Sequence, residues 1–251
     1  MYRSREVRWR NILFVSLVLI APFLMVTVAN AALTPEEAMK KLQEGNERYV
    51  AGKSTQPNQS QARRQETAKG QHPFATVLAC SDSREPVEII FDGGIGDIFV
   101  IRVAGNVVDT IEVGSIEYGV ANLHTPVVLV LGHTHCGAVA AAVKEVPVQG
   151  SIAPLVENIL PAVYTVRKKD PKLAGAKLMA RAIEENVRLS IENLIARSSI
   201  IREHIKEGKL QVLGAVYNIE TGKIDWLGPH PQQAQFLKPY IPLSESSLLS
   251  E

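Results

Sequence analysis

The sequence predicts an α/β fold in one large domain: a mainly parallel central β-sheet flanked by helices, with an N-terminal helical arm ahead of it. Three observations predict this. Short unbroken runs of aliphatic and β-branched residues, such as "FATVLA" at 74–79 and "PVVLVLG" at 126–132, read as strands buried on both faces. Stretches of helical periodicity separate these runs, which is how a parallel sheet acquires its covering layers. Finally, 251 residues that are 46% hydrophobic and 21% charged suffice for a full core. A net charge of +1 advertises no nucleic-acid partner.

Residues 1–31 read as a signal peptide. Arg3, Arg5, Arg8 and Arg10 form a basic start, Ile12 to Val28 is an uncharged apolar run, and Ala29-Asn30-Ala31 is a small-residue cleavage signal. The competing reading is an uncleaved membrane anchor, but Pro22 inside the run and the cleavage signal favour removal and export to the periplasm.

Thr34-Pro35-Glu36-Glu37 is a capping box with proline at the first helical position. It opens a helix expected to end near Gly52 and to bury Met39, Leu42, Tyr49 and Val50. The polar stretch "STQPNQSQARRQETAKGQ" (54–71) reads as a loose connection with one helical turn, so residues 32–72 form an arm and linker and residues 73–251 the catalytic domain. After the first strand, "PVEIIF" (86–91) predicts a short helix and "DIFVIR" (97–102) a strand. "TIEVGSIEYGVANL" (110–123) predicts a helix, 126–132 a strand, and "CGAVAAAVKEV" (136–146) a helix. A helical region follows from about Ile152 to Glu207, with Ile183, Val187, Ile191 and Leu194 as its core stripe. Ser198-Ser199 should interrupt it and cap a last helix that stops at Gly208. "LQVLGAVYNI" (210–219) and "KIDWLG" (223–228) predict two strands joined through Thr221-Gly222.

Chemistry concentrates in "ACSDSREP" (79–86) and "GHTHCGAV" (132–139), each directly after a strand. Ligands of open parallel sheets collect at the carboxyl ends of strands, so these loops should face one crevice. Cys80, His133 and Cys136 would make a Cys₂His zinc site, three protein ligands being the number that catalytic zinc uses. His133 and Cys136 are three residues apart where a helix begins, so both can turn to one side, whereas His135 should point away from its neighbour Cys136. A disulfide between the only two cysteines is the alternative that export suggests. A phosphatase loop is excluded, because Arg84 follows Cys80 by four residues and no glycine-rich cradle surrounds it. "GGIGD" (93–97) precedes a strand rather than opening a helix, so it reads as a turn and not a nucleotide loop.

With "CSDSR" (80–84), "GDIFVIRVAGN" (96–106), "SIEYGV" (115–120) and "GHTHCGAV" in this order, the chain resembles the β-class carbonic anhydrases. "GQHP" (70–73) and "LGAVYNIETGKI" (213–224) add to the likeness. The resemblance implies zinc on Cys80, His133 and Cys136, the three residues already chosen on chemical grounds. It also implies reversible hydration of carbon dioxide to bicarbonate, with Asp82 and Arg84 as a catalytic dyad. Asp82 would orient the reacting water, and Arg84 would hold Asp82 ionised and off the metal. Gln71, Phe99 and Tyr118 would line the substrate pocket, at the interface of a homodimer or dimer of dimers whose arm crosses the partner. Some members carry a tryptophan three residues before the first zinc cysteine, part of an inhibitory bicarbonate site. Here that residue is Val77, which favours a resting Asp82–Arg84 pair. His72, His124 and His135 are proton-shuttle candidates by their ordinary pKa alone. Two other readings share the motifs: a zinc hydrolase of another heterocumulene such as carbon disulfide, and a non-catalytic disulfide-bonded binding module.

Overall fold

The computed structural model describes residues 33–238. Residues 1–31, read from the sequence as a signal peptide, lie outside the described ones. None of the described helices is long and apolar enough to cross a membrane.

Helix α1 (Pro35–Val50) starts on the expected box: Thr34 Oγ1 accepts from Glu37 N at 3.2 Å, and Thr34 N donates to Glu37 Oε2 at 2.8 Å. Helix α2 (Gln61–Thr67) follows, then strand β1 (Ala75–Ala79), helix α3 (Val87–Ile90) and strand β2 (Ile98–Arg102). Helix α4 (Thr110–Ala121) precedes β3 (Val127–His133) and α5 (Gly137–Lys144). The long helical region is four helices: α6 (Ile152–Glu157), α7 (Leu160–Lys169), α8 (Gly175–Arg197) and α9 (Ser199–Lys206). Ser198 caps α9 as expected, accepting from Ile201 N at 3.0 Å, and Gly208 ends it in the left-handed conformation. Strands β4 (Gln211–Tyr217) and β5 (Ile224–Gly228) and the short α10 (Gln233–Phe236) complete the order.

Among the described residues the sheet runs β2-β1-β3-β4-β5, parallel throughout except that β5 is antiparallel to β4. Alternate side chains of each strand go to opposite faces. Leu78, Val128 and Val130 join the α8 stripe, where Ile183, Val187, Ile191 and Leu194 are all buried. Val77, Leu129 and Leu131 meet α1 and α3. The chain leaves β1 for β2 on one side and later returns to β3 on the other. The strand order therefore reverses between β1 and β3, and a crevice opens at their carboxyl ends.

The N-terminal segment departs from expectation. Helix α1 packs on its own domain, within the compact unit Ala32–Glu251. Its buried stripe is Ala38, Leu42, Gly45 and Asn46, while Val50 is exposed and Met39 and Tyr49 are half-buried. Gly45 permits the approach, since a Cβ there would stand 2.0 Å from the Phe91 carbonyl oxygen. Asn46 then ties α1 to two other stretches of backbone through three hydrogen bonds. It donates to Ile90 O (3.2 Å) and Gly222 O (2.9 Å) and accepts from Ile224 N (3.2 Å). The polar connection is not loose either. Thr55 and Gln56 bind Asp92, Asn58 binds Asp97, and Arg63 reaches both Asp97 and the Ile95 carbonyl. Polar composition suggested a tether, but the acceptors that pin it are contributed by the turn at 92–97, which sequence distance conceals.

Asp92 is the anchor of this arrangement, taking Arg48 Nε at 2.6 Å and the Thr55 and Gln56 amides at 2.9 Å each. Burial pushes its pKa up, but these donors outweigh burial and lower it to about 2 from 3.8. A depressed carboxylate contributes stability that is present above its unfolded pKa and lost as pH falls through the folded one. Asp92→Asn should therefore cost roughly 2 kcal/mol at neutral pH, with the deficit closing between about pH 4 and pH 2. Asparagine tolerates the φ of 46° at this position, so the substitution isolates the charge. Thermal unfolding of both proteins across that range checks it, and a pH-independent difference would exclude the charge as the cause.

Candidate metal centre

Cys80 follows β1 directly, His133 ends β3, and Cys136 is the N-cap residue of α5. The switch point in the sheet therefore gathers all three. Their donor atoms lie within 4.8 Å of one another, and the residues are 5%, 0% and 1% exposed. Both cysteines are free thiols. Their closeness splits their titration: the Cys136 side chain lowers the pKa of Cys80, while Cys80 and burial raise that of Cys136. Burial of the His133 ring opposes protonation, but the neighbouring Cys80 side chain and the charge of Glu85 outweigh it and raise its pKa.

His133 is held in one tautomer. Its Nδ1 lies 2.9 Å from the Thr134 carbonyl oxygen, so Nδ1 carries the proton and Nε2 is left as a bare acceptor. That Nε2 is buried with no hydrogen-bond partner. An orphaned imidazole nitrogen beside two thiols, with its other nitrogen fixed by a carbonyl, is the donor set of a Cys₂His metal site. His135 is excluded from the cluster: it sits at φ 59°, its ring is exposed, and Nε2 lies 3.5 Å from Glu220 Oε1.

Asp82 and Arg84 form the expected pair. Arg84 Nε donates to Asp82 Oδ1 at 2.9 Å and Nη2 to Oδ2 at 2.7 Å. This fork holds the Asp82 pKa well below the usual carboxylate range. Asp82 Oδ2 is 3.8 Å from His133 Nε2, so the carboxylate borders the cluster while Arg84 grips both of its oxygens.

Four contributors were not singled out from the sequence. Glu85 is fully buried and accepts from Cys80 N at 2.9 Å, and burial pushes its carboxyl up to about 8. Arg102 donates to the Cys80 carbonyl at 2.9 Å and to the Asp82 carbonyl at 2.5 Å, bracing the loop from β2. Gly105 N donates to Cys80 Sγ at 3.2 Å, and Asn186 of α8 donates to Gly105 O at 2.7 Å. The available signals were a charged residue inside "CSDSREP" and polar residues interrupting the apolar face of α8.

One chain does not bring Gln71, Phe99 and Tyr118 to its own cluster. Phe99 is level with Thr76 in the sheet, about 13 Å along the strand from Cys80. Its ring lies 6.0 Å from that of Tyr118 on α4. Gln71 is exposed ahead of β1, at the opposite end of the strand from Cys80.

The carbonic anhydrase family model matches residues 75–224, which span both cysteine motifs and strands β1 to β4. The chain belongs to the carbonic anhydrase family. It is 41% identical over 193 residues to carbonic anhydrase 2 of Mycobacterium tuberculosis, covering 75% of this chain and 91% of that protein. It is 37% identical over 196 residues to the carbonic anhydrase of Mycolicibacterium smegmatis, covering 76% and 92%. A β-carbonic anhydrase of Aspergillus fumigatus superposes with a TM-score of 0.65 at 27% identity, over 79% of this chain and 94% of that one. A tetrameric β-carbonic anhydrase of Sordaria macrospora gives 0.63 at 28%, over 74% and 94%. The fold is that of the β class, and the family's reaction is the reversible hydration of carbon dioxide.

Proposed function

We propose that Cys80, His133 and Cys136 hold a zinc ion, and that the family's reaction runs beside it with Asp82 and Arg84. The unpartnered, buried His133 Nε2 carries this reading, because a metal ion is the partner that its two thiol neighbours also suit. Zinc bound there supplies the Lewis acidity that makes water a nucleophile near neutral pH. The chain supplies direction. Asp82 stays ionised in the grip of Arg84, so it can only accept hydrogen bonds, and it orients the reacting water's lone pair toward carbon dioxide. With its pKa depressed it does not retain the proton, which passes on to buffer. Glu85 and Arg102 hold the Cys80–Asp82 backbone still while this happens.

We infer a homodimer or dimer of dimers. Strand β2 is an edge of the sheet, and α4 beside it exposes Ile111 and Tyr118 at 77% and 49%. A partner covering this face would bury them and bring Gln71, Phe99 and Tyr118 to its own metal. One purified sample tests both statements. It should hold zinc, hydrate carbon dioxide and sediment as a dimer or larger. An active metal-free protein overturns the zinc, and a fully active monomer overturns the shared pocket.

Residues 1–31 carry the pattern of a cleaved signal peptide, which would deliver the protein to the periplasm. Protein from its native host should then begin at Ala32 and fractionate with soluble periplasm. Peptides spanning Arg3 to Arg10 recovered from membranes would instead mean an anchor.

A further inference from the structure

Helix α8 lays an apolar stripe on the sheet, yet two polar residues are buried with it, Asn186 and Ser190. They are one turn apart and take two successive carbonyls of the segment that follows β2. Asn186 Nδ2 donates to Gly105 O at 2.7 Å, and Ser190 Oγ donates to Asn106 O at 2.9 Å. Both residues so held are left-handed, Gly105 at φ 71° and Asn106 at φ 43°. Asparagine tolerates that conformation better than most side chains, and the two carbonyl hydrogen bonds add to what holds the turn there. Side-chain space is also closed at Gly105, where a Cβ would meet Ile159 Cδ1 at 2.7 Å. The outcome of this turn is the direction of one amide: Gly105 N–H points at Cys80 Sγ, 3.2 Å away. Asn186 Oδ1, meanwhile, is buried with no partner. An unpartnered amide oxygen is costly to bury, and an apolar side chain would fill the site without that cost.

We propose that Asn186 and Ser190 are positioning residues for the metal centre, clamping the Gly105–Asn106 turn so that its amide hydrogen-bonds the Cys80 sulfur. An N–H donor draws charge from a thiolate, which then donates less to the metal. In a site with two thiolates that keeps the bound metal a stronger Lewis acid. The inference rests on the metal reading above, and the probe separates the two.

Cobalt(II) replaces zinc in the purified enzyme, and the sulfur-to-cobalt charge-transfer band is recorded. In Asn186→Ala and Ser190→Ala the freed sulfur is more electron-rich and more easily oxidised, so the band should move to longer wavelength. Zinc affinity, measured by chelator competition, should fall by about 10-fold, since the thiolate loses a donor that favours its charged form and the turn that holds it in place. Ile195→Val, in the buried core of the same helix, should lower the melting temperature and leave the band where it was. Should Asn186→Ala fail to fold, Ser190→Ala decides alone, since it removes a single oxygen atom. A wild-type band and wild-type affinity in the variants overturn the proposal and leave the metal centre standing. A wild-type chain that takes up no cobalt overturns both.

Discussion

Cys136→Ser should emerge from purification with most of its zinc gone and its carbon dioxide hydration near the uncatalysed rate. Among the described residues three donors cluster there, so losing one removes a third of the proposed ligand set. Folding should survive, because Cys136 is the N-cap residue of α5 and serine is among the best residues for that position. Loss of metal can then be separated from loss of structure by circular dichroism on the same sample. His133→Ala and Cys80→Ser should behave alike. Metal analysis of the folded Cys136→Ser protein is the check, and full zinc occupancy would sink the ligand assignment.

Asp82→Asn should keep its zinc and lose about 10–100-fold in kcat/KM, the usual range when a group that orients the metal's surroundings is altered. The substitution turns an acceptor-only carboxylate into an amide that also donates, and it removes the charge that Arg84 grips at 2.7 and 2.9 Å. The reacting water then loses its direction. Stability should hardly change, because Arg84 is about half exposed and pairs of that kind contribute little. Stopped-flow hydration assays alongside zinc content and melting temperature test this. Wild-type kcat/KM would reduce Asp82–Arg84 to an ordinary loop ion pair.

Much of this protein is legible in one dimension. The strand runs, the capping box at Thr34, the break at Ser198 and the buried stripe of α8 are local patterns, and each stands where its periodicity places it. The meeting of Cys80, His133 and Cys136 is legible for a related reason. The three sit at the carboxyl ends of β1 and β3, and a parallel sheet brings such ends together whatever lies between them. Helix α1 was misjudged because two kinds of residue look alike in sequence. Val50 is apolar yet exposed, while the polar Asn46 is buried because three backbone groups satisfy it. Hydrophobicity alone ranks these two the wrong way round.

The sequence by itself therefore determined the fold class, the order of elements and which three side chains, Cys80, His133 and Cys136, meet at the switch point, since these follow from chain-local periodicity and strand-end position. Only the tertiary structure decided what surrounds the donors. The Gly105 amide reaches Cys80 Sγ across 25 residues, and the Asn186 side chain reaches Gly105 across 81. Hydrogen bonds of this kind depend on where two distant backbones meet and which way a single peptide faces. No periodicity encodes that direction. It is set when α8 packs on the sheet and burial makes every polar group beneath it find a partner or pay the cost of lacking one.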